Sequence, residues 1–187
     1  MVKKNTSVFI SGKGTNLKNL INCSRDSNFP IKISLVICNN KIANGIKYAK
    51  KFKIPYIFIN TNSKNYENII LLNLKKYKIN FICLAGYMKI IPGNLIKNYS
   101  KKIINIHPSL LPKFKGLNTF SRILKNKEVK TGCTVHYVNE KLDSGNIINN
   151  KVFFIKSKDS ELILKKKTQK LEYQAFPEAI VKIFRNI

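Results

Sequence analysis

The chain has 187 residues and a formal net charge of +26, carried by 32 lysines and only three arginines. That length fits one domain and is enough to bury a real core, and a hydrophobic fraction of 44% excludes a disordered basic tail. No window approaches 18 consecutive apolar residues, so a membrane span is excluded.

In chain order, Val8-Phe9-Ile10 is a β-prone run within Lys4 to Ser11, stopped by Ser11-Gly12. Leu17, Leu20, Ile21 and Cys23 follow at helical spacing. A second strand runs from Ile31 to Cys38, and a helix from Ile42 to Phe52. A third strand covers Pro55 to Ile59, a helix Tyr66 to Tyr77, and a fourth strand Phe81 to Ala85. Strands that are continuous apolar runs, alternating with helices, predict a parallel sheet covered on both faces.

The second half is less regular. Lys102 to Ile106 reads as a strand, 108–117 as a loop with two prolines, and Thr119 to Lys127 as a short helix. Strands from Thr131 to Val138 and from Ile147 to Ile155 are expected to pair antiparallel across the turn at Leu142-Asp143-Ser144-Gly145. One long helix then covers Ser157 to Arg185, bent near Pro177. The fold class is therefore α/β: a Rossmann-like open sheet, parallel in its N-terminal half and mixed in its C-terminal half, with helices on both faces. We expect one domain over 1–187, with halves at 1–100 and 101–187.

The charge invites a nucleic-acid reading. However, the lysines are scattered in pairs and triplets rather than gathered into an arm, and arginine, the better partner for bidentate phosphate and base contacts, is nearly absent. Lys, Asn and Ile together make 84 residues. All three can be encoded by A+T-rich codons, so compositional drift is the expected source of the charge, the alternative being a preference for anionic ligands, including small phosphorylated ones. The cysteines Cys23, Cys38, Cys83 and Cys133 show no C-x-x-C spacing, which argues against a zinc or redox motif. They read as reduced and buried. The apolar stretch near the N-terminus is too short for a signal peptide, and a cytoplasmic protein is expected.

Three segments carry chemistry. Ser11-Gly12-Lys13-Gly14-Thr15-Asn16 joins a strand to a helix; its glycines allow close approach of a ligand, and a helix N-terminus favours an anion. An ordinary tight turn would read the same way. Asn105 and His107 are two apart on a strand, so they face one side, and Pro108 ends that strand at the carboxyl end where open α/β sheets bind ligands. An amide donor beside an imidazole can stabilise an oxyanion and move a proton. Asp143 either caps its turn or, if the fold brings it to His107, orients that ring and favours its charged form. His136, on the next strand, has no evident partner and reads as structural.

Together these pieces resemble the phosphoribosylglycinamide formyltransferases, a folate-dependent family of purine synthesis. The resemblance rests on SGKGTNL (11–17), LAGYMKII (84–91), NIHPSLLP (105–112), KGLNT (115–119), GCTVHYV (132–138) and LDSG (142–145). It implies formyl transfer from 10-formyltetrahydrofolate to the amine of glycinamide ribonucleotide, with no metal. It makes His107 a general acid, Asn105 an oxyanion donor and Asp143 the group that orients His107. Gly14, Thr15 and Asn16 match the phosphate loop, and Gln169 and Glu172 the ribonucleotide contacts. Met88, Lys89, Ile90 and Ile91 match the apolar folate pocket. Asn139, Glu140, Lys141, Leu142 and Asp143 match the loop that reads the pteridine, and Asn105 is a further expected folate contact. Lys64 falls where the family has an arginine near the folate's glutamate tail. Lys115 stands in place of a proline, and Asn118 and Phe120-Ser121 in place of histidines. The resemblance implies small-molecule partners, with no specific nucleic acid and no membrane, for a monomer or homodimer. The alternatives are another formyl-group enzyme of this fold, or a basic nucleic-acid-binding protein with degenerate catalysis. The additional domains of the other formyl-group enzymes are not expected, because the core motifs fill the chain.

Overall fold

The computed structural model describes residues 2–185. Seven strands form an open sheet in the order β3-β2-β1-β4-β5-β6-β7. The chain divides into two compact units, at 1–104 and 105–187.

In the first unit, β1 (Lys4–Ile10), β2 (Ile31–Cys38), β3 (Tyr56–Phe58) and β4 (Phe81–Leu84) run parallel, linked through α1 (Thr15–Ser24), α2 (Ile46–Lys51) and α3 (Tyr66–Lys76). Val8, Phe9 and Ile10 of β1 and Leu35, Val36 and Ile37 of β2 are wholly buried. Consecutive residues point to opposite faces of a strand, so both faces are covered, as the apolar runs require. Leu17 and Leu20 seat α1, and Ile70 and Leu74 seat α3, each pair at helical spacing.

Two details depart from the sequence expectation. Helix α2 begins at Ile46 rather than Ile42, because the Asn40 side chain accepts the Ile42 N–H and its carbonyl accepts the Ala43 N–H, which holds that segment in a turn. A short helix, α4 (Gly93–Asn98), was not expected. It buries one apolar anchor, Leu95, and is too short to show a period.

In the second unit, β5 (Ile103–His107) is followed by a long loop, α5 (Thr119–Lys125), the antiparallel pair β6 (Lys130–Tyr137) and β7 (Ile147–Phe154), and α6 (Glu161–Arg185). Pro177 lies inside α6, which continues without a break to Arg185. Leu164, Ala175, Phe176, Ala179 and Ile180 form its buried face. Gly132 is required where the two strands meet, since a Cβ there would sit 1.7 Å from the Lys151 carbonyl oxygen. Among the described residues, no helix is long and apolar enough to cross a membrane.

Candidate functional site

The carboxyl end of β5 and the turn after β6 place the chemistry. Asn105 is half-buried and His107 is 5% exposed. Both reach the same carboxylate: His107 Nδ1 lies 3.3 Å from Asp143 Oδ2, and Asn105 Nδ2 lies 3.4 Å from Oδ1. Asp143 sits in the left-handed region at φ 45° and is itself buried. An aspartate tolerates that backbone better than most residues.

The loop after β5 closes on the pair. His107 Nε2 donates to the Phe114 carbonyl at 2.9 Å, and the Gly116 N–H donates to Asp143 Oδ2 at 2.8 Å. A cavity of about 420 Å³ opens beside Asp143, lined by Leu111, Pro112, Lys115 and residues 144–147. Lys115 Nζ donates to Ser144 Oγ across that cavity's wall at 2.5 Å.

His136, read from the sequence as lacking a partner, joins this group. Its Nδ1–H donates to the Tyr137 carbonyl at 2.8 Å, and its Nε2 lies 3.3 Å from Asn105 Nδ2. Nε2 also lies 3.6 Å from Asp143 Oδ1. The available signal was period two: on β6, His136 shares a face with Thr134, whose hydroxyl bonds the Ser109 carbonyl beside β5.

Electrostatics separate the two partners. Burial pushes the His107 pKa below its ordinary value, against the Asp143 carboxylate and the Phe114 carbonyl, which raise it. Burial would raise Asp143, but the His136 imidazole, the Gly116 N–H and the histidine charges overcome it and hold Asp143 at about 2. Both shifts make the fold acid-sensitive. The neutral His107 stability is eroded as pH falls below the usual histidine value, about 6.5. The Asp143 contribution is complete above about 4 and is lost as pH falls toward about 2. We expect the thermal midpoint to fall through both windows, and Asp143→Asn to flatten the lower one. Parallel curves for wild type and variant between pH 4 and 2 would contradict this.

The first unit holds the glycine loop. Gly14 caps α1 in the left-handed conformation, φ 67°, and a Cβ there would lie 2.5 Å from the Gly45 Cα. Gly45 N donates to the Gly12 carbonyl at 2.9 Å, so two glycine backbones pack directly. Ser11 Oγ accepts the Met88 N–H at 2.7 Å and donates to Asn39 Oδ1, tying this loop to the segment after β4. Thr15 and Asn16 open α1.

The remaining sequence candidates are distributed as follows. Met88, Lys89 and Ile90 are exposed, while Ile91 is 6% exposed and belongs to the core. Lys64 is exposed in the turn before α3. Gln169 and Glu172 are half-buried on α6, and the Glu172 charge, after burial, helps raise the Cys133 thiol to about 12. Asn139 to Leu142 form the turn after β6, where Asn139 Oδ1 accepts the Lys141 N–H.

Known proteins resemble this chain in sequence and fold. Residues 4–180 match the family described as formyl transferase. The phosphoribosylglycinamide formyltransferase of Haemophilus influenzae is 39% identical over 181 residues, covering 95% of this chain and 85% of that protein. The human trifunctional purine biosynthetic protein adenosine-3 is 37% identical over 182 residues; 95% of this chain is covered, but the chain spans only 18% of that longer relative. Among solved structures, the phosphoribosylglycinamide formyltransferase from Anaplasma phagocytophilum superposes with a TM-score of 0.92 at 34% identity, covering 99% of this chain and 89% of that one. The enzyme of that name from Bacillus halodurans gives 0.92 at 33% identity, with 96% and 95% covered.

Proposed function

Because this chain belongs to the formyl transferase family, we propose that it transfers the formyl group of 10-formyltetrahydrofolate to the amine of glycinamide ribonucleotide. The observation that carries this reading is the convergence of Asn105, His107 and Asp143 within 3.4 Å contacts on one carboxylate.

The chemistry forms a bond from the substrate amine to the formyl carbon and breaks the bond from that carbon to the folate nitrogen. It needs a donor for the oxyanion, a route for the amine proton to the leaving nitrogen, and a seat for a phosphate. Asn105 supplies the donor; its long contacts to His136 and Asp143 leave its N–H groups ready to turn toward a growing negative charge. His107 moves the proton. Both its ring nitrogens face acceptors, so the imidazolium has a partner for each N–H, and an oxyanion nearby offsets the burial that disfavours its charge. Asp143, ionised throughout the working range, keeps the ring in one orientation.

Gly14, Thr15 and Asn16 seat the phosphate at the start of α1, and Gln169 and Glu172 serve the rest of the ribonucleotide. Met88, Lys89, Ile90 and Ile91, the turn from Asn139 to Asp143, and Lys64 serve the folate. The test is direct: purified protein given both substrates should form the formylated ribonucleotide, and no turnover with both present contradicts the reading.

A further inference from the structure

We propose that Arg122 is a positioning residue that clamps the loop 114–118 onto His107 and Asp143. This rests on the reading that those two residues carry the chemistry. Three residues of the loop lie in the left-handed region, Phe114 (φ 57°), Gly116 (φ 76°) and Asn118 (φ 54°), a conformation that suits glycine and is tolerated by asparagine but not by phenylalanine. For a bulky residue such as Phe114 that conformation costs on the order of 1 kcal/mol or more. Such a loop needs an external hold to keep one shape.

Arg122, in the last turn of α5, supplies it. Its Nη1 donates to the Lys115 carbonyl at 2.6 Å and the Leu117 carbonyl at 3.4 Å, and its guanidinium lies 5.6 Å from the centre of the Phe114 ring. The same loop presents the two groups that engage the site, the Phe114 carbonyl on His107 Nε2 and the Gly116 N–H on Asp143 Oδ2. The loop is thus held between Arg122 and the acid–base pair, with no direct hydrogen bond from Arg122 to either member.

Composition makes the residue type informative. Only three of 35 basic residues are arginines, in a chain where lysine serves nearly everywhere else. An exposed charge alone is worth little, and lysine would supply it. What lysine lacks is a planar head that stacks on an aromatic face while donating in the same plane.

The chain has only two histidines, so their side-chain N–H protons can be read separately by NMR in the unliganded protein. His107 Nε2–H, on the Phe114 carbonyl, reports the clamp; His136 Nδ1–H, on the Tyr137 carbonyl, reports the surrounding fold. In Arg122→Ala and Arg122→Lys we expect the His107 proton to exchange at least ~10-fold faster, the His136 proton to be unchanged, and kcat to fall ~10-fold with KM within about twofold. If Arg122→Ala fails to fold, Arg122→Lys carries the test. A wild-type His107 exchange rate in the folded variants, or equal acceleration at both histidines, overturns the clamp. Absence of formyl transfer by wild type would overturn the functional reading instead, and leaves the proton measurement decisive for the clamp.

Discussion

Replacing His107 or Asp143 by alanine should lower kcat by at least ~10², the scale of a lost acid–base group. The two variants should differ in detail. His107→Ala removes the proton carrier and the partner of the Phe114 carbonyl, but leaves Asp143 holding the Gly116 N–H and lying beside His136, so the loop keeps that second anchor. Asp143→Ala removes the anchor as well. It also leaves His107 with a buried Nδ1 and no carboxylate, which deepens the fall in its pKa because Asp143 is the first influence raising it. Asp143→Ala should therefore lower both rate and melting temperature, whereas His107→Ala acts chiefly on rate. Steady-state kinetics and thermal melts on both proteins check this. Rates near wild type in either variant would remove that residue from the mechanism.

Gly145→Ala should be nearly as damaging, although no side chain is lost. A Cβ at residue 145 would sit 1.7 Å from the Tyr137 carbonyl oxygen and 2.7 Å from its carbon. Both are backbone atoms at the end of β6, so nothing flexible can give way, and the turn carrying Asp143 must move. Forced backbone shifts of this kind cost about 1–3 kcal/mol, which for a chain of this size is a melting-point loss of several degrees, at about 2–4 °C per kcal/mol. A displacement near 1 Å in Asp143 is enough for a rate loss of ~10². Gly93→Ala is the control, because a Cβ there meets nothing within 4 Å. Equal melting points and rates for the two variants would show that the turn tolerates the shift.

The parallel half was legible in the sequence because a strand buried on both faces must be apolar at every position, and 31–38 and 81–84 are nearly so. Asn105 and His107 could be paired before the structure because strand side chains repeat every two residues and Pro108 marks the strand end. Their meeting with Asp143 was not a matter of local pattern. It depends on a turn 36 residues further along the chain than His107, and local periodicity carries no such information. The same holds for His136, which alternation could place on a face but could not give a partner. The loop 108–118 was legible only as a loop. Its left-handed residues include Phe114, a type that signals nothing of the kind, and its hold on the site comes from main-chain groups that every sequence possesses. Helix α4 escaped notice because a six-residue helix with one buried anchor has no period to detect.

The charge that dominates the composition has little part in this chemistry. Apart from the Lys115 contact to Ser144, the groups meeting His107 and Asp143 are main-chain atoms, an amide and a second imidazole. That fits basic residues spread by compositional drift over an enzyme whose site is defined elsewhere.

Following a ¹³C label in the formyl group of 10-formyltetrahydrofolate, in the presence of glycinamide ribonucleotide, tests the central claim most directly. The account predicts that the label appears on the ribonucleotide amine, one per tetrahydrofolate released. Label recovered as free formate, or left wholly on the folate, would contradict it.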